Sequence, residues 1–142
     1  MNGKEERIGV GVGVMLFKNG KVLLAKRKAS DGKGEYCWPG GKMDFGESFE
    51  ECAKRETREE TGMEIKNIRF LRLMNLKHFH PPKHYIDIEM LADWESGEPQ
   101  LLEPDKFESW AWYEVDELPE PLFFPQLTAL EAYKTGKNFF DA

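Results

Sequence analysis

The feature that most constrains this chain is a helix whose two ends are both marked in the sequence. Ser48 can cap the amino end, and the acidic pair Glu50 and Glu51 suits the first turn of a helix. No helix breaker follows until Gly62, a residue typical of helix carboxyl ends. We therefore predict a helix that begins just after Ser48 and ends at Gly62.

The side chains of this helix divide into two faces at about 100° per residue. An apolar stripe is formed by Phe49, Cys52 and Ala53. Glu56 and Glu60 fall within this same stripe, with Glu59 on its flank, whereas the opposite face is typical of a solvated, ion-paired surface. Ionised carboxylates that point at the protein body are costly unless they meet a cation. Three acids at i, i+3 and i+4 offer the oxygen ligands that magnesium or manganese prefers, so this face is predicted to bind a divalent metal.

The residues around the helix resemble the signature of the Nudix hydrolases. Gly41 is followed by five residues, Glu47, seven residues and then Arg-Glu-Thr-Arg-Glu-Glu-Thr-Gly-Met at 55–63. This is similar to the pattern Gly-x5-Glu-x7-Arg-Glu-U-x-Glu-Glu-x-Gly-U, in which U is a bulky aliphatic residue. Every fixed position is filled, and Thr57 departs from the first U. The resemblance implies an α/β fold, the Nudix α/β/α sandwich around a mixed β-sheet, and hydrolysis of a diphosphate linkage.

The resemblance also implies a metal site. Its ligands would be Glu56 and Glu60, with Glu59 beside them, and the backbone carbonyl of Gly41 would complete the shell. Mg2+ is the expected ion, with Mn2+ able to take its place. Hydrolysis of a phosphoanhydride needs neutralised phosphate oxygens and an aligned water, and a divalent ion supplies both.

Three further roles concern catalysis. The resemblance implies that Glu47 orients Arg55 and the helix. Glu59 is the first candidate for the general base, and a loop acid such as Glu103 or Glu108 is the alternative, because a loop could reach in from outside the helix.

Composition limits the functional classes. At 142 residues, the chain suits a single domain, predicted over residues 1–142. A net charge of -6 argues against binding to a nucleic-acid polymer but allows free nucleotides to bind through a metal. The longest apolar run, residues 8–17, is too short to cross a bilayer, and the charged start does not resemble a signal peptide. We expect a cytoplasmic protein, without membrane contact, whose two cysteines are reduced.

Strand signals surround the helix. Residues 9–14 alternate glycine with valine, which predicts a strand that is either closely packed or a floor under a flat ligand such as a base. Asn19-Gly20 predicts a hairpin to a second strand at 22–25. A second helix is predicted over 126–134, closed by Gly136. The pattern as a whole predicts an α/β sandwich around a mixed sheet.

Segments outside the signature resemble one branch of the family, which includes a human nucleotide-pool hydrolase and small plant relatives. They are 39–41 with 44–53, and 102–106 with 108–110. This likeness implies hydrolysis of a nucleoside triphosphate to the monophosphate and pyrophosphate, and a possible homodimer. Phe124 would line the base site, where rings can stack. Asp87, on a predicted strand at 84–90, and Lys42 are further candidates for substrate binding.

The signature allows two alternatives to this enzyme. The same signature could serve another diphosphate, such as a nucleotide sugar, a dinucleotide or an isoprenyl diphosphate. A sensing module without catalysis would be expected to lose signature glutamates, and all are present.

His78, His80 and His84 could suggest zinc, but their spacing fits no structural zinc pattern, so solvated or substrate-edge histidines are favoured.

Overall fold

The part of the chain that the structure describes contains eight strands and two helices. The computed structural model describes residues 6–77 and 83–141. The strands are β1 (Ile8–Lys18), β2 (Lys21–Arg27), β3 (Tyr36–Cys37), β4 (Gly40–Lys42), β5 (Glu64–Leu76), β6 (His84–Ser96), β7 (Phe107–Glu114) and β8 (Phe139–Asp141). The helices are α1 (Phe49–Thr61) and α2 (Phe124–Thr135). The two predicted helices are thus both confirmed, and α2 begins two residues earlier than expected.

The strands form one mixed sheet between the two helices. The order is β3-β2-β1-β6-β5-β8, with β4 paired to β1 and β7 paired to β2. The pairs β1–β6 and β5–β8 are parallel, and the other pairs are antiparallel. One core cluster includes Cys52 and Ala53 of α1, and a second includes Ala129 and Ala132 of α2. The predicted α/β/α sandwich is therefore confirmed.

The ends of α1 are fixed by the residues that the sequence marks. Ser48 accepts a hydrogen bond from the Glu51 backbone, and the Glu51 side chain accepts one from the Ser48 backbone, which completes a capping box. Gly62 ends the helix in the left-handed conformation, at φ 76°. Because both ends are fixed locally, the register of the acids on α1 is fixed as well.

The glycine face of β1 is filled by side chains of β6. β1 and β6 run parallel, with Gly9 opposite Tyr85 and Gly11 opposite Asp87. A Cβ on Gly9 would lie closer than 3.0 Å to the Tyr85 ring, and a Cβ on Gly13 would overlap the Glu89 carboxylate. The glycines thus make room for the side chains of the neighbouring strand, which confirms close packing. Gly11 and Gly13 also line a cavity, so a floor under a flat ligand stays a prediction.

Other expectations meet mixed outcomes. The Asn19-Gly20 turn is confirmed, with both residues at positive φ. No helix within 6–77 and 83–141 is long and apolar enough to cross a membrane. Both cysteines are free and buried. His78 and His80 lie outside the described residues, while His84 Nε2 lies 2.6 Å from Asn75 Oδ1.

Candidate active site

A cavity of about 510 Å3 opens beside α1 and extends across the sheet. Its wall near α1 includes Gly40, Gly41, Lys42, Glu56, Glu60 and Lys106. The other lining residues include Trp38, Tyr85, Asp87, Glu89, Phe123 and Gln126, and this part of the lining is called the far end. The part around α1 thus carries acids, glycines and lysines, and the far end carries aromatic and polar side chains.

Glu60 is the most deeply buried acid of α1, with 3% of the residue exposed. Its Oε1 accepts a hydrogen bond of 3.1 Å from the backbone N–H of Gly40. Burial raises the pKa of Glu60 well above its ordinary value; the Gly40 N–H and Lys106 oppose this effect, whereas the charges of Glu56 and Glu103 add to it. A buried carboxylate among other carboxylates is a natural ligand for a divalent cation.

Glu56 lies directly against the backbone of Gly41. A Cβ at Gly41 would overlap the Glu56 carboxyl group, so only glycine leaves room for this approach. Burial is also the main cause that raises the pKa of Glu56, and Arg55 opposes it. The predicted ligands Gly41, Glu56 and Glu60 are thus brought together at one end of the cavity.

Arg55 holds the acids of this region through several bonds at once. Its Nε donates to Glu47 Oε2 at 2.5 Å, its Nη1 donates to Glu56 Oε1 at 2.8 Å, and its Nη2 donates to the Lys42 carbonyl at 3.0 Å. The hydrogen bond from Arg55 is the main cause that lowers the pKa of Glu47 to about 2. Glu47 and Arg55 therefore join the loop before α1 to the helix, as the resemblance implies.

Glu59 is placed differently from the other predicted ligands. Half of its side chain is exposed, and it does not line the cavity. Its Oε1 lies 3.1 Å from Arg55 Nη1, the same nitrogen that contacts Glu56. In the described part of the chain, no three His, Cys, Asp or Glu side chains converge as a metal cluster. Arg55 Nη1 therefore bridges Glu56 and Glu59.

One further observation indicates that the residues present fit a hard divalent ion. Glu103, on the loop between β6 and β7, has a buried Oε1 with no hydrogen-bond partner. Its charge helps to raise the pKa of both Glu56 and Glu60. Glu108, the other loop acid considered from sequence, is exposed on β7. The oxygen donors at this end are thus more numerous than their protein partners, as a metal site requires.

At the far end of the cavity, Arg72, Asp87 and Glu89 form a second polar group. Asp87 Oδ2 lies 2.9 Å from Nη2 of Arg72, a fully buried residue of β5. Glu89 is also buried and accepts a hydrogen bond of 2.6 Å from the Trp38 indole N–H. The alternation of β6 places Asp87 and Glu89 on one face, but sequence reasoning missed Arg72 and the contact with Trp38.

Of two adjacent aromatic residues, the structure places Phe123, and not the predicted Phe124, in the lining of the cavity. Phe124 is the first residue of α2, is 51% exposed and does not line the cavity. Phe123 lines the cavity, and the Arg27 guanidinium lies 3.8 Å from the centre of its ring. The backbone N–H of Phe123 donates to the Tyr36 carbonyl, which fixes this segment beside β3. The other predicted substrate contacts, Lys42 and Asp87, do line the cavity.

The sandwich, the acidic helix and the adjoining cavity define a hydrolase that acts on phosphoanhydrides. A model of the NUDIX domain matches residues 7–133, and the chain belongs to the Nudix family. The ADP-ribose pyrophosphatase of Methanocaldococcus jannaschii is 33% identical over 129 residues, which are 91% of this chain and 75% of that relative. A MutT NUDIX hydrolase structure from Burkholderia pseudomallei has a TM-score of 0.83 and 35% identity, covering 89% of this chain and 98% of that one.

A second group of relatives is longer. The NAD-capped RNA hydrolase NudC of Chromobacterium violaceum is 30% identical over 106 residues, which are 75% of this chain but 38% of that protein. The chain thus spans about two fifths of the length of the NudC relatives. With the NUDIX domain matched over residues 7–133, the chain is a Nudix pyrophosphohydrolase.

Proposed function

We propose that this protein uses Mg2+ to hydrolyse a nucleoside triphosphate to the monophosphate and pyrophosphate. The observation that carries the proposal is Glu60, a buried carboxylate at the end of a cavity, beside Glu56 and Gly41. A group of acids in this setting is stable only with protons or a bound cation. The choice of a triphosphate follows the resemblance to the nucleotide-pool branch of the family.

Glu56, Glu60 and the Gly41 carbonyl would hold the metal, with Glu59 as a further ligand. When bound, the ion would neutralise phosphate oxygens and acidify a water. Arg55 fixes the Glu56 carboxylate through Nη1, and Glu47 fixes Arg55 in turn. Because these groups are already in place, little reorganisation would be needed when the substrate binds.

The general base is better placed on Glu103 than on Glu59. Glu59 already accepts a hydrogen bond from Arg55, whereas Glu103 Oε1 is buried without a partner. Glu103 does not line the cavity, but its charge acts on both Glu56 and Glu60, so its unpartnered oxygen is the acceptor that we assign to the proton of the attacking water. Lys106, which lies 3.7 Å from Glu103 and lines the cavity, would contact phosphate oxygens together with Lys42.

The residues that line the cavity suit one organic group and one inorganic leaving group. Trp38, Tyr85 and Phe123 supply aromatic walls at the end away from α1. Aromatic walls of this kind suit a nucleoside base. The end beside α1 offers carboxylates, glycines and lysines, which suit phosphates and their metal.

A second candidate substrate is a nucleotide diphosphate such as ADP-ribose. It is favoured by the relative from Methanocaldococcus jannaschii, whose name states this activity and which matches 91% of this chain. This candidate keeps the same metal site and changes only the leaving half of the substrate. It would release two organic phosphates instead of pyrophosphate.

A substrate panel separates the two candidates. Nucleoside triphosphates, ADP-ribose, a dinucleotide and isopentenyl diphosphate would be incubated with the protein and Mg2+, and the products followed by 31P NMR. Release of pyrophosphate from triphosphates, at a kcat/KM above that for ADP-ribose, supports the first candidate. The reverse order supports the second, and no hydrolysis of any member contradicts both.

Hydrolysis in water enriched in 18O would show which phosphorus is attacked. The proposed reaction places water either at the α phosphorus, which labels the monophosphate, or at the β phosphorus, which labels pyrophosphate. Mass spectrometry of the two products distinguishes these outcomes. Label in free inorganic phosphate alone would contradict cleavage between the α and β phosphates.

A further inference from the structure

The far end of the cavity contains a polar group that the proposed hydrolysis does not use. Asp87 lines the cavity, and Arg72 contacts it twice from behind. Arg72 Nη2 lies 2.9 Å from Asp87 Oδ2, and Arg72 Nη1 donates a hydrogen bond of 2.8 Å to the Asp87 carbonyl. Because Arg72 is fully buried, it holds both the main chain and the side chain of Asp87 in one position.

A second carboxyl group supports Asp87 from the side. Glu89 is hydrogen-bonded to Asp87, and the Trp38 indole donates a 2.6 Å hydrogen bond to Glu89 Oε1. Arg72, Asp87 and Glu89 together contribute one guanidinium and two carboxyl groups, so their charges balance when one carboxyl carries a proton. The Glu89 oxygens are thus occupied by Trp38 and Asp87, and Glu89 is a positioning residue for Asp87.

One oxygen of Asp87 faces the cavity: Oδ2 is buried, although 14% of the Asp87 side chain is exposed and the residue lines the cavity. Arg72 faces Oδ2, whereas Oδ1 lies 3.3 Å from the point where a Cβ on Gly11 would stand. The Gly41 carbonyl lies 3.9 Å from that same point. Asp87 Oδ1 is therefore near the backbone proposed to hold the diphosphate end, and Tyr85, two residues earlier on the same face of β6, also lines the cavity. Because a carboxylate repels an anionic phosphate, a group that contacts Oδ1 would belong to the organic half of the substrate.

We propose that Asp87 determines specificity by accepting a hydrogen bond, through Oδ1, from a neutral donor on the organic half of the substrate. That donor is an N–H of the base or a hydroxyl of the sugar. This inference rests on the proposed nucleotide substrate and adds the group that the site reads. A buried acceptor held in place rejects ligands that lack the donor, because the acceptor is then left without a partner. Isoprenyl diphosphates, whose organic half has no such donor, are excluded.

The first test uses the unaltered protein and needs no catalysis. Binding of nucleoside monophosphates would be measured by isothermal titration calorimetry in EDTA, using pairs that differ by one donor. The pairs are guanosine with inosine, adenosine with purine riboside, and each ribonucleotide with its 2′-deoxy and 3′-deoxy forms. We expect removal of one particular donor to weaken binding by about tenfold or more. Weaker binding within a pair that differs in the base identifies an N–H as the donor. Weaker binding within a pair that differs in the sugar identifies a hydroxyl.

The second test uses Asp87→Asn and a matched control. Asp93→Asn makes the same change on β6, where Asp93 faces Arg69 and does not line the cavity. Asp87→Asn replaces one carboxylate oxygen by an amide NH2, which donates hydrogen bonds. The preference for ligands that carry the donor should therefore fall to about twofold or less, and ligands with an acceptor should be preferred instead. Asp93→Asn should keep the preference of the unaltered protein. Circular dichroism would establish that both variants are folded.

These tests separate the inference from the proposed function. The inference is wrong if removal of a donor never weakens binding to the unaltered protein by more than twofold. This outcome does not depend on what the enzyme hydrolyses or on whether Asp87→Asn folds. An unchanged preference in folded Asp87→Asn would also overturn it. Selective binding without hydrolysis of any triphosphate would support the inference while contradicting the proposed function.

Discussion

The Glu56 carboxyl group occupies the space that a side chain on Gly41 would need. A Cβ at position 41 would lie closer than 3.0 Å to this carboxyl group, and Arg55 holds the carboxyl from the other side with a 2.8 Å hydrogen bond. Glu56 therefore cannot yield to a side chain at position 41 without losing its contact with Arg55. The glycine and the acid form one unit at the diphosphate end of the cavity.

The first prediction follows from this contact. Gly41→Ala should lower kcat by about a hundredfold, since a displacement of about 1 Å in a catalytic group can cost that much. The melting temperature should change little, because the added methyl group displaces a side chain that lines a cavity. Steady-state kinetics with Mg2+ would measure the effect, and circular dichroism would establish the fold. Near-normal kcat would contradict the role given to this contact.

The second prediction concerns Glu60. Glu60→Gln keeps the size of the side chain and its hydrogen bond to Gly40 but removes the charge, so kcat should fall by about a hundredfold or more if the metal contributes several kcal/mol. Calorimetric titration should show weaker binding of Mg2+ or Mn2+. In EDTA the variant should melt at the same or a higher temperature than the unaltered protein, because a buried charge has been removed.

A matched control for Glu60→Gln lies on the same helix. Glu50 is exposed on α1 and lies 3.3 Å from Lys54. Glu50→Gln makes the same chemical change far from the cavity and should keep kcat within about twofold, since exposed ion pairs contribute little. If both variants lost activity equally, the loss would come from the helix as a whole and not from the metal site.

Much of the diphosphate end could be predicted because its signals are local. Ser48 and Gly62 fix the ends of α1 through contacts within a few residues, so the positions of Glu56 and Glu60 follow from helical periodicity. The turn at Asn19 is local in the same sense. Wherever one short segment determines the geometry, the sequence pattern is sufficient.

The far end could not be predicted in the same way, because it depends on contacts between distant segments. Arg72 reads as one more charged residue of β5, yet the fold buries it completely against Asp87. Phe123 and Phe124 are adjacent aromatic residues, and only the point at which α2 begins decides which ring meets the cavity. Such choices depend on tertiary packing, which sequence periodicity does not contain.

The third prediction uses this pair of phenylalanines. Phe123→Ala should raise KM by about tenfold or more, because an aromatic wall of the cavity contributes on the order of 1.5–3 kcal/mol to burial of an apolar ligand surface. Phe124→Ala removes the same ring at the adjacent, exposed position and should leave KM within about twofold. Steady-state kinetics of both variants would decide between the two rings. A larger effect at Phe124 would restore the prediction made from sequence.

The fourth prediction concerns stability and pH, and it depends on Glu89. Burial, followed by the nearby charge of Asp87 and the hydrogen bond with it, raises the pKa of Glu89 well above the ordinary value of 4.5. A carboxyl whose pKa is raised on folding stabilises the protein below its unfolded pKa, and this stability is lost as the pH rises through the folded pKa. The unaltered protein should therefore lose stability from Glu89 as the pH rises above 4.5.

Glu89→Gln should remove this dependence, because an amide accepts from Trp38 and donates to Asp87 at every pH, as a protonated carboxyl does. Between pH 5 and 9, its melting temperature relative to that of the unaltered protein should rise until the pH passes the folded pKa of Glu89, by about 4 °C for each kcal/mol of difference. Glu108→Gln, at an exposed position of β7, is the matched control and should run parallel to the unaltered protein. Scanning calorimetry across this pH range in EDTA would measure all three. Parallel curves for Glu89→Gln and the unaltered protein would mean that Glu89 is not protonated in the folded state, and the charge balance inferred for Arg72, Asp87 and Glu89 would then be wrong.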